Sequence, residues 1–195
     1  MSLSKIGVDM KKIILTAALA ISTTLFAGAA KETKILPFFG DGYCAAPTVA
    51  IMGGYGKYSG APNGAAMYGV ELGFACPVFQ IKDLEINQVL SLVHSDKDGL
   101  ETNSLEMNPR IMFPLNNKTK FGFGPGLGVI FAKSNGKSDE VFGINLGGSI
   151  HYQLSSDMFI GLESRYQWAG DAQFAAGTKT DMNNCRTMLK FGKSF

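Results

Sequence analysis

Ser149, His151 and Glu163 are the residue types of a hydrolytic triad: a hydroxyl nucleophile, an imidazole base and a carboxylate to orient it. If residues 155–157 form a tight turn, Glu163 returns beside Ser149 on the following strand. No oxyanion donor can be identified in the sequence, and the ordinary role of such residues is hydrogen bonding inside a fold. The run 122–128, Gly-Phe-Gly-Pro-Gly-Leu-Gly, has the glycine density of a phosphate loop, but it lacks the Lys-Ser/Thr ending and no helix follows it. His94 falls at a strand end, where a solvated or interfacial imidazole is expected rather than a ligand. Cys44, Cys76 and Cys185 show no C-x-x-C or Cys/His spacing, so no metal and no other cofactor is expected. The odd number leaves at least one thiol unpaired and allows one disulfide.

The elements that would position these residues are strands. The 195 residues suit one domain and are 46% hydrophobic and 17% charged, with 24 Gly and 14 Phe, which fits a chain of strands better than a helical bundle. The formal net charge is +2, with no basic run and no basic patch interleaved with aromatics, so nucleic acid is not an expected partner.

Near the N-terminus, Lys11 and Lys12 precede an apolar run over 13–20 that continues through Ile21 and Leu25-Phe26, and Ala27, Gly28, Ala29 and Ala30 follow. This is the pattern of a signal peptide over 1–29, cut after Ala29. Ser22, Thr23 and Thr24 interrupt the apolar run, which argues against a membrane anchor. Met10 reads as the natural start, with 1–9 as an upstream extension, and 30–47 as a periplasmic leader. No cysteine sits at the cleavage site, so a lipoprotein is not expected.

From Thr48 onward strand-like stretches alternate with turn clusters, and no stretch keeps a helical period over a dozen residues. Eight strands are expected, over 48–58, 66–76, 82–94, 103–115, 120–133, 141–154, 158–168 and 185–195. Each has at least the ~9–11 residues that cross a bilayer at a tilt. The links are 59–64, 77–82, 95–101, 116–119, 134–140, 155–157 and 170–184. With a periplasmic N-terminus, 116–119 and 155–157 become short inner turns, 95–101 and 134–140 longer outer loops, and 170–184 the longest surface loop.

The period of two is clearest in the second half. Phe121, Phe123, Pro125, Leu127, Val129 and Phe131 alternate with Gly122, Gly124, Gly126, Gly128, Ile130 and Ala132. Phe142, Ile144, Leu146, Ile150 and Tyr152 alternate likewise with Gly143, Asn145, Gly147, Ser149 and His151. Parity alone does not say which face points inward. Eight strands enclose a narrow interior, which suits the glycine-rich and polar parity better than the bulky one. Aromatics of the apolar parity fall at strand ends, as membrane-interface girdles do: Tyr55, Phe121, Phe131, Tyr152, Trp168 and Phe191. The expected fold is therefore all-β, an eight-stranded antiparallel up-and-down transmembrane barrel over 48–195, with its apolar face toward lipid. Gln88 falls on the lipid parity without an evident reason, and Gly53, Gly54 and Gly56 blur the alternation of the first strand.

The run 143–154, Gly-Ile-Asn-Leu-Gly-Gly-Ser-Ile-His-Tyr-Gln-Leu, followed by Ser155-Ser-Asp and a strand carrying Glu163, Arg165 and Tyr166, resembles the penultimate hairpin of OmpA-like small outer-membrane barrels. Leu189, Phe191 and Phe195 share one parity, and a terminal Phe on an alternating strand resembles the assembly signal of that family, although Lys193 stands where the family has an aromatic. The resemblance covers about 48–195 in pattern, with its motifs concentrated in 120–195. It implies a barrel-only member without a peptidoglycan-binding domain, located in the outer membrane, with outer-membrane lipid and the assembly machinery as partners.

On the lumen parity Glu71, Glu85, Glu106 and Glu163 stand against Arg110, Arg165, Arg186 and Lys190. Buried charges must be paired or solvated, and a balanced set suggests ion pairs that fill the lumen, as OmpA-like barrels have, rather than a selective pore. The same parity places Ser149, His151 and Glu163 away from lipid, so no catalytic residue is assigned. The loop 170–184, with Phe174, Lys179 and Asp181, is the expected site for a surface partner, and the chain is expected to be a monomer. The leading expectation is a structural or surface-interaction barrel, with a minor narrow pore as a variant of it. Its alternatives are a membrane-embedded hydrolase acting on lipid and a secreted soluble barrel binding a small apolar ligand.

Overall fold

Period-two alternation of bulky apolar with small or polar residues carries through to the fold as long antiparallel strands. The computed structural model describes residues 33–40, 42–81, 84–175 and 178–195. The signal peptide, its cleavage after Ala29 and the start at Met10 lie outside the described residues. The strands are β1 (Thr33–Ile35), β2 (Thr48–Tyr58), β3 (Ala65–Ala75), β4 (Phe79–Ile81), β5 (Glu85–Lys97), β6 (Leu100–Pro114), β7 (Thr119–Ser134), β8 (Lys137–Gln153), β9 (Met158–Ala169), β10 (Asp171–Ala175), β11 (Thr178–Asp181) and β12 (Asn184–Ser194). A short 3-10 turn spans Pro37–Phe39.

Eight of these close a barrel in the order β12-β2-β3-β5-β6-β7-β8-β9. β12 seals it: Phe191 lies opposite Ile51 of β2 on one side and Ile160 of β9 on the other. Closure leaves no free strand edge in the circuit, so every wall strand has partners for its backbone on both sides. The end carrying Thr48 and Ser194 is the inner end here, and the opposite rim is the outer end.

Two expected outer loops are corrected. The stretches 95–101 and 134–140 are mostly strand, joined by two-residue turns at Asp98-Gly99 and Asn135-Gly136. Asp98 and Gly99 have φ of 53 and 77, and Asn135 and Gly136 have φ of 50 and 76. Two successive left-handed residues make the type I′ turn, whose twist matches a strand pair and for which Asp-Gly and Asn-Gly are the preferred dipeptides. Short inner and long outer links therefore do not alternate, and β7 and β8 reach 16 and 17 residues, beyond what a bilayer crossing needs.

Two small sheets lie outside the circuit. β1 of the leader pairs with β4, inside the link expected over 77–82. β10 pairs with β11, so the expected loop 170–184 is largely a β-hairpin, and β10 packs along the outer end of β8.

The β6–β7 ladder is interrupted between Met107↔Leu127 and Ile111↔Phe123, with the register unchanged on either side. That register sets Pro109 opposite Pro125. Neither proline has an N–H, so the two bonds of that pair cannot form. Gln88 of β5 lies opposite Pro109; it is buried, and its amide donates to the Val89 carbonyl at 3.3 Å.

Candidate functional site

The barrel is inside-out relative to a soluble one. Leu189 is 67% exposed and Phe142 79%, whereas Arg165 is 1% exposed and Glu106 2%. The reason is space. Gly126 has Asn108 and Asn145 packed over it, and a Cβ there would come within 1.9 Å of Asn108 Oδ1 and 2.4 Å of Asn145 Oδ1. At Gly128 and Gly143 the Gln167 amide takes the room that a side chain would need, and at Gly147 the Arg165 guanidinium does. The glycines at 122–128 thus belong to a continuous strand whose bare inner face admits polar side chains from its neighbours.

The interior is layered. Toward the outer end lies an apolar plug that includes Met52, Met67, Ile130, Val141, Met182 and Met188. Met182 and Ala172 come from the 170–183 connection and are fully buried, so this segment caps the outer mouth as well as presenting its exposed face, where Lys179 lies 3.9 Å from Asp171. Phe174 packs against the plug, half-buried.

The middle layer is ionic. Arg186 of β12 reaches Glu106 of β6 at 2.5 Å. Glu106 also accepts from Ser104 Oγ at 2.9 Å, Asn145 Nδ2 at 3.2 Å and Asn108 Nδ2 at 3.3 Å. Below it, Arg110 contacts Glu71 at 3.1 Å and also contacts Glu163, while Lys190 contacts Glu163 at 2.6 Å and also Glu71. Arg165 donates to Glu163 at 3.2 Å and to Asn145 Oδ1 at 2.5 Å. These contacts join five of the eight wall strands, β3, β6, β8, β9 and β12, into one lattice. Charges taken from water in this way are tolerable only when paired and hydrogen-bonded as here.

The structure places Glu85 elsewhere. It sits at the inner rim, where its side chain is 44% exposed, and it pairs with Lys120 at 2.5 Å. As the first residue of β5, it has the lumen parity without the lumen depth. The buried set is therefore Glu71, Glu106 and Glu163 against Arg110, Arg165, Arg186 and Lys190, one base in excess. The neutral partners Asn108, Asn145, Ser104 and Gln167 were not singled out from the sequence; their shared parity with the charges was the available signal.

Of the triad candidates, His151 Nε2 and Ser149 Oγ are 3.2 Å apart, and the His151 ring stacks on Phe159 with centroids 5.4 Å apart. Glu163 is opposite Ser149 in register, but its carboxylate is taken by Arg110, Lys190 and Arg165. Ser149 is buried on the lumen side. His151 borders a cavity of about 150 Å³ that opens at the inner mouth between Glu85 and Lys120 and ends against Glu71 and Arg110. His94 accepts or donates at Nδ1 with Asn103 at 2.9 Å and lies against Tyr68.

On the outer wall, Tyr55, Phe131, Tyr152 and Phe191 are exposed, and Phe121 and Trp168 half-buried. Trp168 meets Tyr166 edge-on at 4.7 Å. Phe191 shares a row with Tyr152 through Ile160, and Leu189 and Phe195 point outward on the same strand end. Lys193 lies 3.4 Å from Asp157 in the β8–β9 turn and 5.5 Å above the Phe195 ring. Among the described residues no group of His, Cys, Asp and Glu could hold a metal ion; Cys44 and Cys185 are exposed and Cys76 is buried.

No protein-family model matches the sequence, and no curated protein matches it. Solved structures do. The chain is similar to the Neisserial surface protein A, with 13% identity, 76% of this chain and 96% of that one covered, and a TM-score of 0.55. It is also similar to the N-terminal β-barrel domain of Pseudomonas aeruginosa OprF, with 14% identity, 78% and 100% covered, and a TM-score of 0.53. At such identities the likeness is one of fold: a closed, eight-stranded antiparallel barrel of the kind found in small outer-membrane proteins.

Proposed function

We propose that this chain is an exported, OmpA-like outer-membrane barrel with a closed lumen, serving a structural or surface-interaction role rather than that of an open porin or an enzyme. The observation that carries this reading is the inverted burial. A wall of Leu, Ile, Val and Phe faces outward around the whole circuit, while seven charged side chains lie buried inside. Lipid is the solvent that suits such a wall, and closure satisfies the backbone within it. A soluble barrel for an apolar ligand would need the opposite arrangement, with an apolar hollow where the ion pairs lie. The similarity to a neisserial surface protein agrees with a surface role.

The test is fractionation followed by electrophoresis. The reading expects recovery in the outer membrane, release only by detergent, and a band that shifts on heating. Recovery in a soluble fraction would sink it. Planar-bilayer recordings then address the bore, where little or no conductance is expected from the wild type.

One observation favours a hydrolase as the second reading, namely the contact between His151 and Ser149. Its burial away from lipid, and the engagement of Glu163 in ion pairs, weigh against it. Release of fatty acid from a lipid ester, abolished by His151→Ala with the barrel still folded, would establish it.

A further inference from the structure

Cys44 and Cys76 flank the same backbone bond at the inner end of the barrel. The Ala75 N–H donates to the Ala45 carbonyl at 2.7 Å, so the segment before β2 already lies beside the end of β3. The Tyr43 hydroxyl donates to the Ala75 carbonyl at 2.8 Å. The Cys76 N–H turns the other way, to the Ile86 carbonyl of β5 at 2.8 Å. In an antiparallel pair the bonded residues lie directly opposite one another. The bond between 45 and 75 leaves Cys44 and Cys76 as the next residues along, each one position from it, where an antiparallel continuation would bring them within disulfide range. Disulfides span Cα separations of about 4.4–6.8 Å.

A second observation agrees. The Tyr43 hydroxyl is pushed up from its ordinary range, first by burial and then by the charge that Cys76 and Cys44 would carry as thiolates. Cys185 is no competitor: it faces outward on β12 opposite Lys57, about 30 Å along β2 from Thr48 at ~3.3 Å per residue.

We propose that Cys44 and Cys76 form a disulfide that staples the leader to the inner end of the barrel. The inference rests on the export proposed above, because the bond needs an oxidising compartment. The oxidant is a protein disulfide of the thiol–disulfide exchange class. The exposed Cys44, as thiolate, attacks one sulfur of that disulfide and displaces its partner thiolate, leaving a mixed disulfide. The Cys76 thiolate then attacks Cys44 Sγ and displaces the second catalyst thiolate. Two electrons and two protons pass to the catalyst, which leaves as a dithiol. The staple holds the leader, and with it the β1–β4 sheet, against the β3–β5 link, where Leu36 N–H already donates to the Val78 carbonyl at 2.8 Å.

The experiment uses the full-length protein carrying Cys185→Ser, expressed with its leader, denatured and treated with a maleimide before and after reduction. The expected result is no labelling before reduction, two labels per chain after it, and a linked pair of peptides containing Cys44 and Cys76. Adding Cys44→Ser should give one label without reductant. Purified reduced protein is also treated with glutathione disulfide. A bond absent in cells but formed in that arm supports the pair and overturns export. Two labels before reduction in both arms, or a bond from Cys185 in the wild type, overturns the staple.

Discussion

Arg186 spans the bore of the barrel to reach Glu106, with 2.5 Å between Nη2 and Oε2. The two residues stand on β12 and β6, which are diametrically opposite in the eight-strand circuit and share no backbone bond. The last strand of the chain is thus tied to the far wall as well as to its two neighbours.

Replacing Arg186 by Ala leaves Glu106 buried without its principal counter-charge. The expected cost is about 3–5 kcal/mol, because a single buried charge loses its pairing but keeps its desolvation. Urea unfolding from lipid vesicles measures it. The double variant Arg186→Met with Glu106→Leu should recover most of the loss, since apolar replacements of a whole buried pair are often neutral. Conductance in planar bilayers should rise in the single variant. A destabilised but silent barrel would mean that the apolar plug around Met182 closes the bore by itself.

Gly126 and Gly53 should respond oppositely to a side chain. Gly126→Val drives carbons into Asn108 and Asn145 and is expected to destabilise by about 1–3 kcal/mol. At Gly53 an added Cβ meets nothing within 4 Å, so Gly53→Ala should stay within about 0.5 kcal/mol of the wild type. The temperature at which the folded band is lost on heating separates them.

Met182→Ala removes a fully buried side chain from the outer plug, at an expected cost of about 2–5 kcal/mol. The loss should appear first as faster proteolysis within residues 170–183, because that hairpin is held to the mouth by Ala172 and Met182. Cleavage at an unchanged rate would argue that the hairpin is held by its contacts along β8 instead, among them the Gln173 N–H to Asp139 at 2.7 Å.

Asp157 titrates below the ordinary aspartate value, held down first by the Ser155 hydroxyl and then by Lys193. A depressed carboxyl contributes stability above its unfolded pKa and loses it as pH falls through the folded one. Acidification should therefore loosen the contact between the β8–β9 turn and the end of β12. Carboxyl carbon NMR would read a midpoint below that of free aspartate, and Ser155→Ala should move it upward.

The legible part of the fold follows from parity. Phe121 through Phe131 alternate with glycines, a pattern set by neighbouring residues alone, so the strands and their two faces can be read along the chain. Asp98-Gly99 and Asn135-Gly136 carry the hairpin-turn dipeptides just as plainly, but their charged and polar flanks have loop composition, which shortens the strands that parity alone predicts there. Parity also put Glu85 among the lumen charges. Depth along the bore, which excludes it, depends on where its neighbours end.

The sequence by itself determined the alternation of the strands and so which side chains share a face, because that depends on residues one or two positions apart. Only the tertiary structure decided which charges meet. Arg186 and Glu106 are 80 residues apart, and their contact exists because closure of the circuit brings β12 opposite β6. It likewise decided that Met182 plugs the outer mouth and that the Tyr43 hydroxyl reaches the Ala75 carbonyl. Those proximities come from the path of the chain around a closed ring, and no local pattern encodes them.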